Sequence, residues 1–507
     1  MPITDTALTP RASTRAGPAR GGLSLAPVLA ALMLAGCVSS AGIVPQAQAL
    51  APASLGVPAQ SKAPAVDARW WTAFDDVQLN ALVDAALSAN PSLKLAQARI
   101  ERATAATNAA RASEGPRVDG ALDLTRQRYT ENGLIPPPIA GTVGNTGLLQ
   151  FSGSWEIDFF GKNAAALAAA LGNERAAQAD AQAARVLLAS NVARTYFPLG
   201  RLFEQRDVAQ RSFAQRNEIL KLIRQRVEAG LDTNVELRQG ESSVPETAQQ
   251  IEALAEQIVL TRHALAALLA QPPDALAAAS PRLRTVQAVP LPADIPADLL
   301  GRRADIEAAR LRVEAATQDV AYSKTLLYPN VNLVAFVGLS SLGVNRLLNS
   351  GSDQYGAGVA VRLPIFDAGR LRANVQGKTA DLDAAVESYN AALVDAVHDV
   401  ADQIASVQSV ERQRRTQSAA QVASEQAYDL ALQRFRAGLS TYLTVLSAEN
   451  NVLVQRRLGA DLKARTLDSQ VALARSLGGG YDAASVSSDA HRAAGAGNTS
   501  LAAVAAR

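Results

Sequence analysis

Residues 162–229 and 369–437 are two stretches of nearly 70 residues each with very few glycines or prolines. Leu, Val and Ile recur at spacings of three and four on an alanine-rich background, the pattern of helices packed along their length. At 1.5 Å per residue each helix reaches ~100 Å, whereas an average globular helix has about 11–12 residues. Pro198 predicts a kink in the first. The ends of the two stretches match at an offset of 208 residues: Gln225-Arg226-Val227-Glu228-Ala229-Gly230-Leu231-Asp232-Thr233 against Gln433-Arg434-Phe435-Arg436-Ala437-Gly438-Leu439-Ser440-Thr441. Gly230 and Gly438 read as C′ residues that end the long helices. Asp232 or Thr233, and Ser440 or Thr441, then cap helices that return.

The same offset relates Gly161-Lys162 to Gly369-Arg370 and Glu241 to Glu449, while Ala98-Arg99 matches Ala309-Arg310 at an offset of 211. The body is therefore two internal repeats, 67–280 and 297–481, joined by a Pro-rich link, 281–296. Each repeat reads as helix, strand pair, very long helix, turn and long helix. The first helices are 79–113 and 304–324, closed by Pro116 and Pro329.

Between first and long helices the hydrophobic period switches to two, which predicts strands at about 118–130, 147–160, 330–340 and 354–367. Val118, Gly120, Leu122 and Leu124 share one face; Tyr355, Ala357, Val359, Val361, Leu363 and Ile365 share another. Glu156 and Asp158 fall on a polar face, where they line a lumen or a solvated surface. Loops rich in Gly, Pro, Asn and Ser join the strands.

The front of the chain reads as an address. Residues 1–36 carry three arginines and then an apolar run of about 14 residues, too short to span a bilayer at ~20 residues per helix. The run ends Leu34-Ala35-Gly36-Cys37, similar to the lipobox of bacterial lipoproteins, in which the signal is cut before a cysteine that becomes lipidated. Residues 37–66 then read as a lipidated N-terminus and flexible tether, and 482–507 as a disordered tail.

Charge and composition narrow the function. Net charge is +2, and beyond residue 36 the cations and acids balance at 46 each, which gives no electrostatic case for nucleic-acid binding. Cys37 is the only cysteine, so disulfides within the chain and cysteine zinc sites are excluded. His263, His398 and His491 lack ligand spacing. No constellation supports an enzyme, and no cofactor is expected beyond the covalent lipid on Cys37.

Strands with one apolar face belong either to a soluble sheet packed on helices or to a membrane barrel. Four strands cannot close a membrane barrel, for which eight is about the minimum, and open edges do not survive in lipid. Two chains would give eight strands; three would give twelve and a pore.

Several motifs together carry a family resemblance: Trp70-Trp71-x-x-Phe74, Asn90-Pro91-Ser92-Leu93, Trp155-Glu156-Ile157-Asp158-Phe159-Phe160-Gly161-Lys162, Arg302-Arg303-Ala304-Asp305-Ile306, Tyr328-Pro329-Asn330-Val331, Pro364-Ile365-Phe366-Asp367-x-Gly369-Arg370 and Leu477-Gly478-Gly479-Gly480. With Cys37, the chain resembles the TolC-like outer membrane factors, in their NodT-type lipoprotein branch. Ala304 stands where that family usually has proline. The resemblance implies a mostly α chain with a membrane β part. Three copies would form a 12-stranded β-barrel, four strands per chain, continued by a long α-helical barrel with a small mixed equatorial region. It implies a homotrimer in the cell outer membrane, lipid-anchored and extending into the periplasm. Its role would be the passive exit duct of a tripartite efflux pump, fed by a periplasmic adaptor and an inner-membrane resistance-nodulation-division transporter. The alternatives are the conduit of a type I protein secretion system and a periplasmic coiled-coil scaffold.

The resemblance also assigns sites. The turns at Gly230, Leu231 and Thr233, and at Gly438, Leu439 and Thr441, become periplasmic tips gripped by the adaptor. The gate maps onto Leu443, Ser447 and Asn450, with Leu443 the apolar ring; the alternative for Leu443 is plain interhelical packing. Ser447 and Asn450 offer no strong charge pair, and Glu449 lies on a different face.

The lipobox makes a first prediction. Mass spectrometry of the mature N-terminus should find an acylated Cys37, and Cys37→Ser should abolish acylation while leaving some membrane association; an unmodified wild-type terminus elsewhere refutes this.

Overall fold

The computed structural model describes residues 39–56, 66–283, 286 and 302–481. The expected signal segment, Cys37, the tail and most of the Pro-rich link lie outside the described residues. The first repeat runs α1 (Val77–Ala89), α2 (Pro91–Ala112), β1 (Arg117–Arg128), β2 (Val143–Ile157), α3 (Lys162–Glu228) and α4 (Asn234–Leu268). The second runs α5 (Ala304–Thr325), β3 (Asn330–Leu342), β4 (Asp353–Arg362), α6 (Arg370–Arg436) and α7 (Tyr442–Ser476). The duplication is close: α3 and α6 have 67 residues each, α4 and α7 have 35 each, and α2 and α5 have 22 each.

Four expectations change. The helix expected over 79–113 is two helices, because Pro91 drives the residue before it out of the helical region. Asn90 therefore sits extended, at φ −63° and ψ 128°. It caps α2 through Ser92 N–H at 2.8 Å and donates to the Leu268 carbonyl at 2.7 Å.

Pro198 does not interrupt α3, which runs unbroken through it. A proline removes one ladder hydrogen bond, and here the burial of Tyr196, Phe197 and Leu199 around it holds the helix. Pro245 also lies inside unbroken α4, on its exposed side.

Three of the strands end earlier than their alternation suggested, while β3 runs two residues further, to Leu342. β2 stops at Ile157 because the Asp158 carboxylate turns to accept the Lys162 and Ala164 amides at 2.6 and 3.0 Å, capping α3. Glu156 pairs with the Lys162 ammonium at 2.8 Å, so both acids serve the joint between β2 and α3, and Glu156 shares the sheet face of Asn332. β4 stops at Arg362, two residues before Pro364, so Leu363 and Ile365 lie past the sheet. Asp367 caps α6 at the Leu371 amide, 2.8 Å, in the role of Asp158.

The expected flexible tether is, over 39–56, laid against α6 with defined hydrogen bonds.

The largest apolar cluster sits where α1, the middle of α3 and the ends of α4 and α7 meet. Trp70, Trp71 and Phe74 pack edge-on, and Phe74 meets Phe197 at 5.2 Å. The Tyr196 hydroxyl donates to Asp76 at 2.8 Å, and Asp76 also caps α1 at Gln78 and Leu79. Burial, then the Asp76 charge, pushes the Tyr196 phenol far up, so it stays a donor. Above this cluster α3 and α5 approach closely: a Cβ on Gly172 would stand 3.0 Å from the Ala315 methyl.

The chain closes on Gly478-Gly479-Gly480, all at positive φ (104°, 57° and 79°). A Cβ on Gly478 would fall 1.7 Å from the Arg302 carbonyl oxygen, and one on Gly480 2.3 Å from the Ala68 Cα. The turn thus locks the end of α7 onto the starts of both repeats. Gly478→Ala should cost about 2 kcal/mol or more from forced φ alone. Gly377→Ala, in helix α6 with nothing within 4 Å, should instead add up to about 1 kcal/mol. Thermal unfolding followed by circular dichroism of the two variants checks the contrast.

Candidate functional site

The four strands form one antiparallel sheet in the order β1-β2-β3-β4. Its registers decide which side chains share a face. Leu122 pairs with Leu149, which pairs with Leu339; Gly120 pairs with Phe151, then Val337, then Tyr355; Val118 pairs with Gly153, Ala335 and Ala357; Trp155 pairs with Leu333 and Val359; Ile157 pairs with Val331 and Val361. Paired residues point to the same side, so one continuous apolar face crosses all four strands. Among the described residues Leu347 packs on its outer end at Gly147, and most of the rest stands exposed, Tyr355 at 81%. The opposite face carries Asp119, Asp123, Thr125, Gln150, Ser152, Ser154, Asn332 and Gln354 among glycines and alanines, with Leu148, Val334, Phe336 and Leu342 as apolar exceptions. Below the sheet Phe160 and Tyr328 stack at 5.0 Å, and Phe159 and Phe366 stand exposed. β1 and β4 each have one partner only, so both outer edges of the sheet present unpaired backbone groups. Among the described residues, no helix is long and apolar enough to cross a membrane.

About 100 Å of helix away lie the two turns. Both form the same six-residue closure. The Leu231 amide donates to the Arg226 carbonyl at 2.8 Å and Gly230 to Val227 at 3.0 Å; Leu439 donates to Arg434 at 2.8 Å and Gly438 to Phe435 at 3.0 Å. Gly230 and Gly438 take φ of 70° and 77°, which a Cβ would strain. Thr233 caps α4 in a capping box with Glu236, and Thr441 is the cap residue of α7 without a side-chain bond. The Thr233 hydroxyl holds the Glu236 carboxyl below its ordinary value. Arg226 adds a bond absent from the other tip: it pairs with Asp232 at 2.8 Å and lies 5.0 Å over the Phe435 ring, joining the two turns. Leu231 and Leu439 stand out at 66% and 69% exposure. The six tip residues named from the sequence are thus neighbours at one end of the helices.

Leu443, Ser447 and Asn450 share one exposed face over the first turns of α7, and Leu443 is 56% exposed. Tyr442, Val445 and Glu449, on the other face, are buried. Glu449 points away from the face of Leu443, Ser447 and Asn450, but it is no bystander. Its carboxylate accepts Arg216 Nε at 3.1 Å and the Ser212 hydroxyl at 2.8 Å. Arg216 Nη1 donates to the Ser243 carbonyl at 3.1 Å and the Thr247 hydroxyl at 3.0 Å, and Nη2 to Asn450 Oδ1 at 2.9 Å. Both charged side chains are 5% exposed. Sequence reasoning missed Arg216: 233 residues separate it from Glu449, and the repeat offers no hint. One repeat unit away the equivalents are Ser424 and Glu241, so the buried cluster exists at one position only.

Known proteins match this arrangement along nearly the whole chain. The model of the outer membrane efflux protein family matches residues 82–271 and 295–479. The Escherichia coli multidrug resistance outer membrane protein MdtQ is 32% identical over 465 residues, covering 89% of this chain and 96% of that protein. The Pseudomonas putida pyoverdine export outer membrane protein OpmQ is 32% identical over 436 residues, covering 85% and 92%. The crystal structure of the outer membrane protein VceC from Vibrio cholerae superposes with a TM-score of 0.77 at 33% identity, covering 82% of this chain and all of that one. The chain whose apolar sheet stands on 67-residue helices therefore belongs to the outer membrane efflux protein family.

Proposed function

We propose that three copies of this chain form the outer-membrane exit duct of a tripartite efflux pump for drugs or other small molecules. The observation that carries this reading is the apolar face continuous across four strands whose outer edges are both unpaired. Hydrocarbon tolerates such a sheet only if its edges pair with other copies, and twelve strands leave an open lumen. The polar and glycine-rich face then lines the pore. The long helices continue it as a tunnel through the periplasm. MdtQ and OpmQ, a multidrug resistance protein and a pyoverdine exporter by name, favour small-molecule cargo over protein secretion. The chain performs no chemistry; an inner-membrane resistance-nodulation-division transporter supplies energy through a periplasmic adaptor. The adaptor grips the exposed turns at Leu231 and Leu439. Lipid on Cys37 adds a second anchor beside the strands.

Three copies of Leu443 around the pore axis form an apolar constriction that excludes ions by dewetting. Arg216 holds that face in place through Asn450 from behind.

Native mass spectrometry in detergent should give three chains; a stable monomer with full strand content overturns the shared barrel. In planar bilayers Leu443→Ala should raise single-channel conductance, and Ser447→Asp should shift selectivity toward cations. Unchanged conductance in Leu443→Ala would place the closure elsewhere.

The buried pair gives a separate prediction. Arg216→Met alone should cost about 3–5 kcal/mol because it strands a buried carboxylate. Arg216→Met with Glu449→Leu should recover much of that loss, read as the apparent melting temperature of the trimer.

A further inference from the structure

Residues 39–56 run beside the first third of α6, from its first turn toward the central cluster. Three side chains on α6 hold them, and all three touch main chain only. Arg372 Nη1 and Nη2 donate to the carbonyls of Ser39 and Ala41 at 2.6 and 2.9 Å. Asp383 Oδ1 accepts the amides of Gln46 and Ala47 at 2.8 and 2.9 Å. Asn390 grips from both sides, accepting the Leu50 amide at 2.8 Å and donating to the Gln48 carbonyl at 2.9 Å. Between the grips, Ile43 packs on Leu327, Leu371 and Val375 and Ala47 on Val320, Leu382 and Val386, and beyond the last grip Leu55 packs on Leu393 and Val397.

The spans agree. Arg372 to Asn390 is ~27 Å of helix, and the segment from Ser39 to Leu50 can reach ~36 Å when extended, so it spans the grips with room for the turn at Ser40–Ile43. A segment of such low charge, rich in Ala, Pro, Ser and Gln, has little reason to adopt one conformation alone. The grips supply the reason, and they do so without reading side chains.

We infer that Arg372, Asp383 and Asn390 form a main-chain clamp whose cargo is the lipid-bearing N-terminus, held at the junction of strands and helices. Arg372 stands in the first turn of α6, ten residues beyond the end of β4. The position of Cys37 in the chain is two residues before Ser39, within ~7 Å of chain reach. A lipid on Cys37 is thus within chain reach of the lower ends of the strands, and a pull on it is passed to α6 through these hydrogen bonds. The inference rests on the lipidated, membrane-spanning reading above for its cargo, and on the clamp's own geometry for its mechanism. Because the clamp reads backbone, the identity of residues 44–50 matters little and their amides matter a great deal.

Hydrogen exchange followed by mass spectrometry on the full-length acylated protein tests this. In the wild type, the Gln46, Ala47 and Leu50 amides should be protected. The combined variant Arg372→Ala, Asp383→Ala, Asn390→Ala should exchange them about tenfold faster or more, since each loses a hydrogen bond to the fold. Gln46→Ala should change nothing, and Ala47→Pro should release the segment with the clamp residues intact. In parallel, spin labels on Ser40→Cys and Asn374→Cys should give one narrow distance that broadens in the combined variant. Wild-type amides exchanging at free-peptide rates, or a combined variant indistinguishable from wild type, overturns the clamp. The mass of the N-terminus separates the two readings. An acylated but unprotected segment refutes the clamp alone, whereas a protected segment without acyl groups removes the cargo assigned to it.

Discussion

Three strand registers decide which side of this sheet is apolar, and everything proposed for the chain hangs on that. Side chains alternate along a strand, so a slip of one residue would carry Leu149, Phe151 and Trp155 to the polar side. The observed pairing instead stacks them with Leu122, Val337, Leu333 and Val359 on one surface. In water that surface would be a liability, as would two unpaired edges. In hydrocarbon the surface is favourable and the edges alone are forbidden. A barrel shared between copies follows from combining these two facts, and three copies are the number proposed for it.

The duplicated design then diverges where the two halves meet at their ends. Both long helices close with the same turn and the same exposed leucine. Yet only the first turn carries an Arg–Asp pair and a full capping box. Only one half supplies a buried arginine, and only the other supplies the acid that meets it. A strict repeat would put Ser424 and Glu241 in these places and could not form the cluster. The asymmetry ties the first repeat to the start of α7, directly behind Leu443 and Ser447.

At the opposite end, the junction between sheet and helices is built from short-range carboxylate caps. Asp158 and Asp367 each turn the chain from strand into helix within a few residues. The 39–56 segment attaches beside the second of these joints. Strand ends, helix starts and the strap are therefore mechanically one region, and no long flexible linker separates them.

Much of this was legible in the sequence because it is local. The 67-residue helices follow from composition and spacing, their ends from Gly230 and Gly438, and the strands from a period of two. All depend on residues a few positions apart. The family resemblance was legible too, since it rests on short motifs. Other features were decided only in three dimensions. Period two says that a strand has an apolar face but not that four such faces coincide. The alternation through Ile365 could not reveal that Asp158 and Pro364 end their strands early. Arg216 and Glu449 are 233 residues apart, and Gln46 and Asp383 are 337 apart; no spacing rule links them. Their partnership exists because α3, α6 and α7 pack side by side, where a buried charge or a bare backbone amide must find a partner or pay the full cost of losing water.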